Sequence, residues 1–112
     1  MLFSWVGATE REDNTPYTPE ERHGYNILIL KPSDPPPGIN DTPLYVAIGT
    51  APVPNEYSIE IDQLGAKLAE GDYLFYVQDE DTEGRKSEWS PEPAAFTVVI
   101  AAPKPPTGLS VS

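Results

Sequence analysis

The sequence predicts an all-β protein built as a two-sheet sandwich. Hydrophobic residues alternate with period two in short segments separated by turn residues. No long segment keeps a helical period. The stretch Leu68 to Val77 reads Leu-Ala-Glu-Gly-Asp-Tyr-Leu-Phe-Tyr-Val. A leucine, a glycine turn and a tyrosine that opens an alternating strand form the signature of a tyrosine corner in a Greek-key sandwich.

The elements follow in order. Leu2 to Ala8 alternates, with Phe3 and Trp5 on one face. Thr9 to His23 is polar and proline-containing, and reads as a loop. Gly24 to Lys31 places Tyr25, Ile27 and Ile29 on one face. Pro32 to Pro43 is a proline-rich connection, Leu44 to Thr50 a strand and Ala51 to Glu56 a turn. Tyr57 to Asp62 alternates, with Tyr57, Ile59 and Ile61 inward and Ser58 and Glu60 outward. Gln63 to Gly71 crosses between sheets, with room for one helical turn between Leu64 and Leu68. Asp72 to Gln78 turns Tyr73, Phe75 and Val77 inward. Asp79 to Pro93 is a charged loop, and Ala94 to Ala101 the last strong strand. Pro103 onward is a proline-rich linker ending in the short alternating segment Thr107 to Ser112.

In order and spacing these pieces resemble a fibronectin type III domain, over nearly the whole chain. Phe3-Ser-Trp5 is similar to the family's second strand, Gly24-Tyr25-Asn-Ile27 to its third and Leu68 to Val77 to its sixth. Gly84, Ser87 and Ser90 match the loop that follows. The resemblance implies an immunoglobulin-like two-sheet sandwich of type III topology that lacks the usual N-terminal first strand. It makes Tyr73 the corner tyrosine, bonded back to backbone near Gly71, and Trp5 the buried core tryptophan. Trp5, Tyr25, Leu68, Tyr73 and Phe75 then form the structural core. Leu68 sits one residue nearer the tyrosine than the family pattern expects.

Two units are expected: the sandwich over 1–102, and over 103–112 a proline-rich linker. Proline ahead of Gly108-Leu109-Ser110-Val111 resembles the opening of a type III repeat. That segment is either the first strand of a next repeat or a donated strand. In the second case Leu109 and Val111 supply inward side chains to a neighbouring molecule, giving a homo-oligomer.

Totals bound the function. At 112 residues, roughly two thirds of the unfolded surface can be buried in one domain. Fourteen prolines favour short strands over helices. The absence of cysteine excludes disulfides and thiolate metal sites, and one histidine, His23, cannot build a multi-histidine centre. A net charge of −11 disfavours nucleic acid and anionic membrane, and no run is long enough to span a bilayer. Met1-Leu2-Phe3 does not open a signal peptide. The family resemblance favours an extracellular, cell-surface or virion-surface setting.

Candidate sites are few. Glu10, Glu12, Asp13, Glu20 and Glu21, with Asp79, Glu80, Asp81, Glu83 and Glu88, fall in loops that the expected topology gathers at one pole, a candidate contact surface. Asp79, Asp81 and Glu83 before Gly84 match the first half of an EF-hand calcium loop. The twelfth position is Ser90 rather than glutamate, and a solvated hairpin explains the pattern equally well. The family's Arg-Gly-Asp tripeptide is absent, so its integrin-binding mechanism is not carried over. Leu28, Leu30, Leu74 and Tyr76 share the outer face of one sheet, an apolar stripe that the Pro32 to Pro43 connection or a protein partner must cover. Nucleophilic catalysis lacks its parts, and no cofactor is implied. The expectation is a non-catalytic spacer or adhesion module of a larger or self-assembling protein. The alternative is a cation- or carbohydrate-associated accessory domain of an extracellular enzyme.

Overall fold

The computed structural model describes residues 1–48, 56–64 and 67–112. Two antiparallel sheets form an all-β body. β1 (Leu2–Val6) pairs with β4 (Glu56–Glu60) in the smaller sheet. The larger has the order β3-β2-β5-β6, from β2 (Arg22–Leu30), β3 (Tyr45–Ile48), β5 (Gly71–Asp81) and β6 (Ala94–Val98). Short 3-10 turns occupy Pro19–Glu21 and Ile61–Leu64.

The period-two reading holds where it matters most, because side chains alternate across a pleated strand. Phe3, Tyr25, Ile27, Ala47, Ile59, Leu64 and Phe75 form the buried core. Phe3 stacks on Phe75 with ring centroids 4.1 Å apart, and Trp5 meets Tyr25 edge-on at 5.2 Å. Such aromatic pairs add about 0.5–1.5 kcal/mol beyond the area they bury. The Tyr73 hydroxyl donates to the Ala69 carbonyl at 2.8 Å, tying the strand start to the crossing segment.

Several expectations need correction. Leu68 is only half-buried, and Leu64 takes the buried leucine place at the end of its 3-10 turn. A 3-10 turn occupies Ile61–Leu64, while Gly65 and Ala66 of the expected helical turn lie outside the described residues. Trp5 is half-buried, packed against the core, and its buried indole N–H has no hydrogen-bond partner among the described residues. β5 runs to Asp81 instead of stopping at Gln78, because its later polar side chains find partners. His23 belongs to β2 rather than to a loop, and is exposed. Thr107 to Ser112, expected to pair only in a next repeat or a neighbouring molecule, belongs to no strand and is exposed in the single chain, as is everything from Val99 onward. Gly49 to Asn55, with the end of the expected Leu44 to Thr50 strand and most of the expected Ala51 to Glu56 turn, lies outside the described residues.

One irregularity shapes the upper end of the sandwich. Arg22 pairs with Asp81 and Gly24 with Glu80, so His23 is an extra residue, a β-bulge. By strict alternation from inward Tyr25, Arg22 belongs on the outer face. The bulge shifts that parity and turns Arg22 inward, its guanidinium 4.9 Å from the Tyr25 ring centroid.

Candidate functional site

The acidic pole is the first place to look. Asp79 and Asp81 sit at the end of β5 in phase with inward Tyr73, Phe75 and Val77. Two carboxylates at the rim of an apolar core need cations, and arginines supply them. Arg22, its side chain fully buried, donates from Nε to Asp79 Oδ1 at 2.8 Å and from Nη2 to Oδ2 at 3.2 Å. Asp79 also accepts from the Tyr17 hydroxyl and the Ala8 amide. Arg11 bridges Asp81 at 2.9 Å and Glu21 at 2.7 Å. The Tyr17 ring lies between Arg11 and Arg22, with their guanidinium carbons 5.0 and 5.1 Å from its centroid.

Asp81 is the hub. Its Oδ1 accepts from the Glu83 and Arg85 amides, and its Oδ2 from the Arg11 and Arg85 guanidiniums. Burial pushes its carboxyl up, but the Arg11 and Arg85 hydrogen bonds outweigh burial and hold it well below the ordinary range. Burial and the neighbouring Asp79 carboxylate raise the Tyr17 phenol. The half-match to a calcium loop is therefore a tight turn, with Gly84 at φ +82° and Asp81 oxygens committed to backbone and arginine. Among the described residues, no group of three or more histidine, cysteine or acidic side chains is placed to hold a metal ion. Glu83, Glu10, Glu12, Asp13, Glu20 and Glu88 are exposed, and Glu80 is half-buried beside Asn26. A cleft of about 660 Å³ opens at this pole, lined by Arg11, Tyr17, Arg85 and Lys86 among others.

The apolar stripe is tied to the chain's own connection. Tyr76 is buried, while Leu28, Leu30 and Leu74 are half-buried. The Trp89 indole donates to the Gly38 carbonyl at 2.7 Å, and Gln78 donates to the carbonyls of Ile39 and Ser87, both at 2.8 Å. Gln78 in turn accepts from Asn26 at 2.9 Å. Trp89 and Tyr17, both buried, escaped the sequence reading because they sit in polar segments without alternation. Their size was the available signal, since large aromatics rarely stay in solvent.

The edge of β1 presents a different chemistry. The Met1 carbonyl accepts from the Ile61 amide, which fixes the phase of the β1–β4 ladder. Phe3 opposite Ile59 and Trp5 opposite Tyr57 are then the hydrogen-bonded pairs. The N–H and C=O groups of Leu2, Ser4 and Val6 point the other way, to an edge with which no described strand pairs. The corresponding edge of β4 is partly capped, because the Gln63 side chain accepts from the Glu60 amide. Since β1 lies over β5 and β2, its open edge faces the side of β6. There Phe96 and Val98 point inward in register with Tyr73 and Gly71, yet are only half-buried. Leu109 and Val111 are 85% and 101% exposed.

No protein-family model, curated protein or solved structure matches the chain. Its functional reading therefore rests on the geometry.

Proposed function

We propose that this protein is a non-catalytic sandwich module, of fibronectin type III plan, that works by protein contact along the open edge of β1. The observation that carries the reading is the contrast in hydrogen bonding. The charged groups at the core rim are committed to internal ion pairs, while Leu2, Ser4 and Val6 present backbone groups away from β4, the one described strand that pairs with β1. Such an edge templates an added strand, with main-chain bonds giving affinity and alternate side chains giving selectivity. The strand order β3-β2-β5-β6 over β1-β4 and the bond from Tyr73 to Ala69 support the type III plan.

The test is an amide NMR titration of the dilute chain with a synthetic alternating threonine–valine peptide. Perturbations centred on Leu2, Ser4 and Val6 are expected. Perturbations confined to residues 10–13 and 79–88 would overturn the reading in favour of the charged pole.

A further inference from the structure

We infer that the occupant of the β1 edge is the C-terminal segment of a second copy of this chain, entering with Leu109 and Val111. This rests on the proposed edge-contact function and names its partner.

The β1 edge and this segment are complementary. Among the described residues a two-stranded sheet is set against a four-stranded one, so β6 meets β1 only at the near edge, where Phe3 packs edge-on against Phe96 at 5.0 Å. A strand added to β1 would lie over Phe96 and Val98, whose inward side chains are incompletely buried. Such a strand needs small or medium apolar residues at alternate positions, because only alternate side chains face the core. Leu109 and Val111 have that spacing, and Ser110 and Ser112 suit the solvent side.

The segment is also held off its own body. After β6 the Ile100 amide donates to the Glu70 side chain at 2.7 Å. This anchors the chain where β6 ends at Val98, opposite Gly71 and far from the pole where Ala8 meets Asp79. To lie antiparallel on β1, the tail must run the length of that strand, about 17 Å for five residues, and then reverse. Pro103, Pro105 and Pro106 fall in the intervening stretch. Proline fixes its own φ and biases the preceding residue to extended backbone, so this stretch favours a projecting arm over a hairpin. The molecule measures 78 × 31 × 19 Å, as a compact body with such an arm does. Gly108, at φ +70°, supplies a bend before Leu109. A neighbour meets none of these constraints, and donation closes into a dimer or continues as a chain.

The test is sedimentation velocity across a concentration series, with three full-length proteins. These are the native chain, the tail variant Leu109→Asp/Val111→Asp, and the edge variant Ser4→Pro, which removes an outward N–H. The tail substitutions fall on residues exposed in the single chain, so loss of folding does not confuse the result. Concentration-dependent association of the native chain is expected, weakened at least about tenfold in both variants, the scale of removing buried anchors. A native chain that stays monomeric throughout would overturn tail donation. Association lost in Ser4→Pro but kept in the tail variant would also overturn it, while leaving the edge function standing. Association unchanged in both variants would remove tail and edge together.

Discussion

The two ends of the functional question are the charged pole and the β1 edge, and they differ in where their polar groups point. At the pole, Asp79 and Asp81 turn inward and meet Arg22 and Arg11. At the edge, backbone groups of Leu2, Ser4 and Val6 turn away from β4, the one described strand that pairs with β1. A net charge of −11 draws attention to the acids, yet the most concentrated of them are structural. A buried carboxylate with its hydrogen bonds filled has little left to offer a ligand, whereas an unpaired strand edge has a whole row.

The comparison is sharpened by perturbing each side and reading both stability and association. The largest effect is expected from Arg22→Ala. It leaves Asp79 at the core rim without its buried cation, and the loss should be about 3–5 kcal/mol in chemical denaturation. If Arg22→Ala instead weakened association while the unfolding midpoint held, the pole would be a contact surface after all.

Acid should come next. Asp81 has a folded pKa below its unfolded value. Its contribution is therefore present above the unfolded carboxylate value of about 4 and is lost as pH falls from there towards the folded one. Melting temperature should decline over that acid range, and Asp81→Asn should flatten the decline while lowering the neutral plateau. An equally steep profile in Asp81→Asn would place the acid sensitivity elsewhere. The smallest effect is expected from Glu12→Gln, an exposed acid lining the cleft. Stability should change by less than about 0.5 kcal/mol, and sedimentation should be unaltered.

Much of the fold was legible because alternation is a strong signal in strands with one buried face. The inward sets of β2, β4 and β5 came directly from it, and so did the tyrosine bonded back to the crossing segment. What escaped depended on breaks in that alternation. Arg22 could not be placed inward without the bulge at His23, which no composition rule announces. The corner pattern points to Leu68, the leucine ahead of the Gly71 turn, whereas the 3-10 turn brings Leu64 into the core, which spacing along the chain does not announce. The pole was read by its sign rather than its pairing. Arg85 lies near Asp81 in sequence, but Arg11 and Arg22 lie far from Asp79 and Asp81, and only the folded arrangement unites them.

The Asn26–Gln78 bond has a consequence for how the chain finds its alignment while folding. Sliding β2 against β5 by one residue turns every side chain to the wrong face, an error that burial alone rejects. Sliding by two keeps the faces and still sets one apolar pair of the stripe together, Leu30 with Tyr76 or Leu28 with Leu74. Burial barely distinguishes that mistake from the native pairing. The amide pair does, because a two-residue slide separates the two amides and sets Gln78 opposite Leu28 or Asn26 opposite Tyr76, leaving that amide without its partner at about 1–3 kcal/mol. Asn26 and Gln78 thus act as a key that fits at a single offset, discriminating between alignments that the greasy rows around them would accept alike.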